Sequence, residues 1–173
     1  MTIDPNTHAQ AIRGFFQGLA GDADLTGMEL VRLVHIVANA YESAVDEQLR
    51  DADLSGPRWG LLMRLLAEEH CGDADGLSPT RLSRHQNVSK NTISALLRGL
   101  EEQGLIERAL DADDRRAFRI RLTDAGRQII QVTASGHIGF LNELAAGLTA
   151  EERAQLVQLL EKLHRSLVGH ERA

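Results

Sequence analysis

The stretch Leu105-Ile-Glu-Arg-Ala-Leu-Asp-Ala-Asp-Asp-Arg-Arg-Ala-Phe-Arg-Ile-Arg-Leu-Thr-Asp-Ala-Gly126 decides the fold. Its first five residues, Leu105 to Ala109, read as a strand. Its second half, Ala117 to Leu122, alternates Phe118, Ile120 and Leu122 with Ala117, Arg119 and Arg121, the period of a half-buried strand. Between them Asp111-Ala-Asp-Asp114 is an acidic turn. Thr123 follows at once as a helix cap, so the hairpin feeds straight into a helix reaching about Ala146.

Upstream lie two short helices. Ser78-Pro79 supplies a cap and a proline for the first helical turn, and this helix ends near His85. Ser89 caps a second helix through about Gln103. Ile93, Leu96, Leu97 and Leu100 line its apolar face, and Gly104 stands where a left-handed residue is wanted. Helix, tight turn, helix and charged hairpin is the order of a winged helix-turn-helix, whose second helix enters the major groove of DNA.

Long helices flank this centre. Residues 7–20 bring Ile12, Phe15, Phe16 and Leu19 onto one face, although Gly14 and Gly18 weaken it. A long helix is expected from Gly27 to Ala52, and a shorter one from Pro57 through Trp59 and Met63 to His70. Thr149-Ala-Glu-Glu152 is a capping box. It opens a last helix whose Leu156, Leu160, Leu163 and Leu167 have coiled-coil spacing over two heptads, suited to a dimer bundle. The fold class is mainly α with an α+β wing. The expected division is an extra N-terminal helix at 1–22, a helical dimerisation region at 25–54 and 124–173, and a DNA-binding region at 55–123.

Composition agrees. Apolar residues make up 43% of the 173 but aromatics only 3%, so aliphatic seams between helices must form the core. The net charge of −6 is unevenly spread. Between Ser78 and Leu122 nine basic face six acidic side chains, a net of +3 that leaves −9 elsewhere. One face is therefore suited to phosphates while the remainder repels them. A single cysteine, Cys71, excludes an internal disulfide, the opening Met1-Thr-Ile-Asp-Pro does not read as a signal peptide, and no apolar run reaches membrane length; a cytoplasmic protein is expected.

The candidate DNA-reading residues open the Ser89 helix: Ser89, Lys90, Asn91 and Thr92, with Ser94 and Arg98 one and two turns on. Asn pairs bidentately with adenine, Lys with guanine, and Thr offers a methyl to thymine. In isolation, short polar residues at such a place are capping residues; the basic hairpin downstream gives them a second meaning. Arg115 and Arg116 at the hairpin tip and Arg119 on its second strand complete the set, the strand arginines alternatively covering apolar surface with their stems.

The hairpin with its Asp-Arg-Arg tip and Leu-Thr-x-x-Gly exit at 122–126 resembles the wing of the MarR family of bacterial regulators. The segments Leu-Ser-Pro-Thr-Arg-Leu-Ser-Arg (77–84) and Leu-Glu-Glu-Gln-Gly-Leu-Ile (100–106) are similar to that family's helix-turn-helix. The resemblance is strong over about 57–127. It implies a homodimer on a pseudo-palindromic operator in double-stranded DNA, a repressor whose first and last helices interlock and which a small ligand releases. The added N-terminal helix resembles that of urate-responsive members, which carry a tryptophan where this chain has Phe15 and Phe16, so urate is not the expected ligand. An effector, if bound, is expected near His35, Asn39, Arg58, Trp59, Met63 and His137, with Arg58 suited to the carboxylate or phenolate of an anionic aromatic and Trp59 to its ring. Trp59 as core and His35 as an interfacial histidine are the plainer readings.

Other chemistry finds little support. Glu68-Glu-His-Cys-Gly-Asp-Ala-Asp75 gathers metal donors without ligand spacing, and Leu82 occupies the twelfth position of a calcium loop begun at Cys71. Cys71 is ringed by acids, which disfavour a reactive thiolate. No catalytic motif is present, so no enzyme, metal or cofactor is expected. The rival function is a winged helix that binds proteins instead of DNA.

Overall fold

The computed structural model describes residues 14–71, 75–86, 88–111 and 117–170. They fall into two units, Met1–Glu47 and Gln48–Ala173.

In the first unit, residues 14–20 are helical; the earlier part of the expected N-terminal helix lies outside the described residues. Asp24 then caps helix α1 (Thr26–Gln48), its carboxylate accepting from the Thr26 amide at 2.8 Å. Leu30, Val31, Val37 and Tyr41 of α1 are all about half exposed or more.

The expected continuation of α1 to Ala52 does not occur. The chain tightens into a 3-10 turn at Arg50–Ala52, and Asp53 adopts a left-handed conformation (φ +54°) that aspartate tolerates better than most residues. The cause is tertiary. The break buries Leu49 and Leu54, and the Gln103 amide donates to the Asp53 carbonyl and carboxylate at 2.8 and 2.9 Å.

The second unit is built from α2 (Gly56–His70), α3 (Pro79–Gln86), α4 (Lys90–Glu102), β1 (Ile106–Leu110), β2 (Phe118–Leu122), α5 (Asp124–Leu144) and α6 (Ala150–His170). Its core lies where α2, α3 and α4 meet the hairpin. There Leu62, Leu65, Leu82, Leu97, Leu100 and Ile120 are at most 2% exposed. Each such side chain contributes about 1.5–3 kcal/mol on burial. β1 and β2 pair antiparallel in the register Ile106↔Leu122, Arg108↔Ile120, Leu110↔Phe118. Leu77 adds a third, one-residue rung, exchanging both backbone bonds with Ile120 at 3.1 and 2.8 Å.

β1 starts one residue later than expected, because Leu105 is used as a bracket. Its amide donates to the Leu100 carbonyl (2.9 Å) and its carbonyl accepts from the Thr123 amide (3.1 Å). The Thr123 hydroxyl in turn donates to the Gly104 carbonyl at 2.7 Å and accepts from the Gly126 amide at 3.0 Å. One side chain thus links the left-handed end of α4 (Gly104, φ +70°) to the start of α5. Gly126 is needed here for space: a Cβ would stand 3.1 Å from the Leu105 carbonyl carbon and closer still to its oxygen. This is the physical content of the Leu-Thr-x-x-Gly exit.

The capping box before α6 is closed in both directions, Thr149 N–H to Glu152 at 2.8 Å and Glu152 N–H to Thr149 at 3.2 Å. Along α6, Leu156, Leu159, Leu160 and Leu167 remain 43–57% exposed. Among the described residues no helix is long and apolar enough to cross a membrane.

Candidate nucleic-acid interface

The turn between α3 and α4 is closed by Ser83, whose hydroxyl donates to the Val88 carbonyl at 2.7 Å while the Val88 amide returns to Ser83 O at 3.2 Å. Ser89 then begins α4 as its cap, accepting from the Thr92 amide at 3.1 Å, with the two hydroxyls 2.8 Å apart. Ile93, Leu97 and Leu100 face the core. The helical period therefore turns Asn91, Ser94 and Arg98 away from that face, while Lys90 shares its register but opens the helix; all four are exposed.

The polar residues expected to read DNA divide in two. Ser89 and Thr92 serve the cap, and the Ser94 hydroxyl donates to the Lys90 carbonyl at 2.8 Å. Lys90, Asn91 and Arg98 have no side-chain hydrogen bond or ion pair among the described residues. The first turn of α4 contains no acid, whereas α5 and α6 carry Asp124 and Glu151 with Glu152 there. The partial positive charge of its N-terminus is thus left unneutralised.

Cations between Ser78 and Leu122 sort the same way. Arg81 pairs with Glu68 (3.2 Å), Arg108 with Glu101 (2.9 Å) and Arg121 with Asp75 (3.0 Å). Arg119, expected at the interface, is committed inside the wing. Its guanidinium bonds Asp111 at 2.6 Å and the Gly76 carbonyl at 3.1 Å, which together with Arg121 fastens the 75–77 segment to β2. Arg84 was not singled out by sequence, yet it is exposed and unpaired among the described residues. Nothing local distinguished it from Arg81, whose partner is 13 residues away. Arg115 and Arg116 lie outside the described residues.

Of the expected effector residues, two lie in the first unit and four in the second. His35 and Asn39 belong to α1 in the first unit, both exposed. In the second unit Trp59 and His137 pack on each other edge to face, ring centres 5.3 Å apart, and are 5% and 7% exposed. His137 Nδ1 lies 2.8 Å from Gln48 Oε1, and burial holds its pKa below the ordinary 6.5. The Arg58 guanidinium lies over Gly99 of α4, its Nε 3.1 Å from where a Cβ would be. Met63 instead lines a hollow of about 600 Å³ with Leu66, Ala67, Glu69 and His70, and Arg127 holds Glu69 through two bonds of 2.9 and 3.2 Å. Among the described residues no three His, Cys, Asp or Glu are grouped to hold a metal. Cys71 is exposed.

Comparison with known proteins bears on the whole arrangement. The sequence model of the MarR family matches residues 52–117. An HTH-type transcriptional repressor of Bacillus subtilis, YetL, is 28% identical over 145 residues, covering 83% of this chain and 84% of that protein. Among solved structures, a mutant MarR from E. coli complexed with operator DNA superposes with a TM-score of 0.71 at 26% identity, covering 82% of this chain and 99% of that one. The S. aureus MepR–DNA complex gives 0.70 at 27% identity, covering 79% and 96%. With an outward polar edge on α4, a wing stapled beside it and the Leu-Thr-x-x-Gly junction behind, the chain is similar over residues 52–117 to transcriptional regulators of the MarR family.

Proposed function

We propose that this chain represses transcription as a homodimer, each subunit placing the N-terminal half of α4 in the major groove of a pseudo-palindromic DNA operator. The observation that carries this reading is the sorting of charge: on α3 and α4, Arg84, Lys90 and Arg98 are exposed and unpaired among the described residues, while wing cations tied to Asp75, Asp111 and Glu101 hold the scaffold. Lys90 and Asn91 read base edges; Arg84, Arg98, Arg115 and Arg116 neutralise phosphates; Ser89, Thr92 and Ser94 shape the helix start. Arg119 holds the wing in place. Two such helices related by a two-fold axis meet one face of the duplex when about 34 Å apart.

Dimerisation is supported by the exposed aliphatic rows of α6 and of α1, which a second copy would cover. The role is regulatory and not enzymatic, in the cytoplasm where its DNA lies. The hollow beside Met63 is the place for a small effector, held by apolar contact with Leu66 and Ala67; its preference for one dimer geometry sets the coupling, typically about 1–3 kcal/mol.

Fluorescence anisotropy tests the reading, with a duplex from upstream of the protein's own gene, a shuffled duplex and two salt concentrations. The expected result is preferential, salt-sensitive binding of two subunits per site. Absence of binding at low salt would replace DNA with a protein as the partner.

A further inference from the structure

The register of the wing leaves one rung unexplained. Ile106, Arg108 and Leu110 share a face of β1 and pair with Leu122, Ile120 and Phe118. At the base of this face Ile106, Leu122 and Ile120 are buried, and Arg108 reaches across to Glu101 of α4. One rung further out, beyond the body of the domain, Leu110 and Phe118 stand 60% and 46% exposed. The opposite face is already engaged, Arg119 and Arg121 being tied to Gly76, Asp75 and Asp111. A cross-strand aromatic–aliphatic pair stiffens a hairpin, but it does so equally well with one face against something apolar.

We propose that the Leu110–Phe118 rung packs against the deoxyribose edges of the DNA backbone flanking the groove that α4 enters. This rests on the DNA-binding reading above and adds to it a contact that is apolar. Three observations favour this occupant. The rung lies on the face that turns toward α4, fixed by the Arg108–Glu101 bridge of 2.9 Å, so the backbone beside α4 is the surface it meets. In sequence, the seven residues between Leu110 and Phe118 include Arg115 and Arg116, whose charge draws phosphates toward this end of the hairpin. And two half-exposed side chains fall far short of the roughly 1,200–2,000 Å² of a stable protein–protein interface.

An apolar contact of this kind neutralises no phosphate and releases no counterion. It therefore changes affinity without changing the dependence of affinity on salt. Binding of the full-length protein to the upstream duplex is measured by anisotropy across a salt series for wild type, Phe118→Ser, Leu110→Ser, Phe118→Leu and Arg115→Ala, with sedimentation velocity and thermal melting alongside. The expected result is about tenfold weaker binding for Phe118→Ser, several-fold for Leu110→Ser and near wild type for Phe118→Leu, all at the wild-type slope and melting within about 4 °C of wild type. Arg115→Ala instead lowers the slope by about one. Wild-type affinity in both serine variants overturns the proposal, as does a changed slope. A loss of affinity that follows a change in oligomeric state overturns it too, making the rung a protein contact. If the wild type binds neither duplex, the DNA-binding reading itself has failed and this contact with it.

Discussion

Alanine at Gly126 and alanine at Gly136 should have opposite effects, although both glycines lie in α5. At Gly126 the new methyl would stand 3.1 Å from the Leu105 carbonyl carbon, closer to the oxygen, and 3.3 Å from Leu122 Cδ2. The carbonyl cannot yield, because it accepts from the Thr123 amide at 3.1 Å. Relief requires α5 to move away from the wing by roughly an ångström, weakening the Thr123 bonds to Gly104 and Gly126 and opening the packing around Leu122. Overpacking costs about 1–3 kcal/mol, and a weakened hydrogen bond adds about 1 kcal/mol. A total near 3 kcal/mol lowers the melting temperature by roughly 6–12 °C in a chain of this size. At Gly136 the Cβ meets nothing within 4 Å, so alanine should raise stability by up to about 1 kcal/mol through helix propensity and a less flexible unfolded chain. Urea titration with circular dichroism measures both at a fixed protein concentration. A Gly126→Ala variant within 0.5 kcal/mol of wild type would refute the close approach, and with it the explanation of the Leu-Thr-x-x-Gly exit.

Three further outcomes are expected. His137 binds its proton less readily folded than unfolded, so its contribution to stability is complete above pH 6.5 and is lost as pH falls below that value. The slope is at most about 1.4 kcal/mol per pH unit, and melting curves at pH 7.5 and 5.5 should show a smaller drop for His137→Gln than for wild type. Arg119→Met should cost about 1–2 kcal/mol of stability and weaken DNA binding with the salt slope unchanged, since the guanidinium serves Asp111 and Gly76; a slope reduced by one would return it to the phosphate. Lys90→Ala and Asn91→Ala should erode discrimination between operator and mismatched duplexes by about 1–3 kcal/mol each, measured by competition anisotropy, and an unaltered preference would mean that another edge of α4 reads the bases.

The parts of this fold legible in sequence are those whose cause is local. Ser89 and Thr123 each accept from the amide three residues on, Thr149 exchanges bonds with Glu152, and Gly104 ends α4 left-handed. These interactions span four residues or fewer, so pattern and propensity find them. The misses depend on partners far along the chain. α1 stops at Gln48 because Asp53 is held by Gln103, 50 positions away. Leu77 pairs with Ile120, 43 positions on. The same distance hides function. Arg84 and Arg119 are both arginines in a basic window, yet one is unpaired among the described residues and the other is clamped to Gly76, 43 residues earlier. Trp59 and His137 were grouped for their chemistry, and they do meet; they fill a core contact, not an open hollow.

The Thr123 side chain has a mechanical consequence. By holding Gly104 O at 2.7 Å and Gly126 N at 3.0 Å it makes the end of α4 and the beginning of α5 one fulcrum. α5 has 21 residues and so extends about 31 Å from that point. A rotation of about 5° at the fulcrum sweeps its far end by roughly 3 Å, given that length. Read in the other direction, a displacement of that size at Leu144 reaches α4 as a small, stiff tilt with little lost in transmission. The junction is thus geared: a displacement at the distant end of α5 would arrive at α4 reduced in distance and multiplied in force.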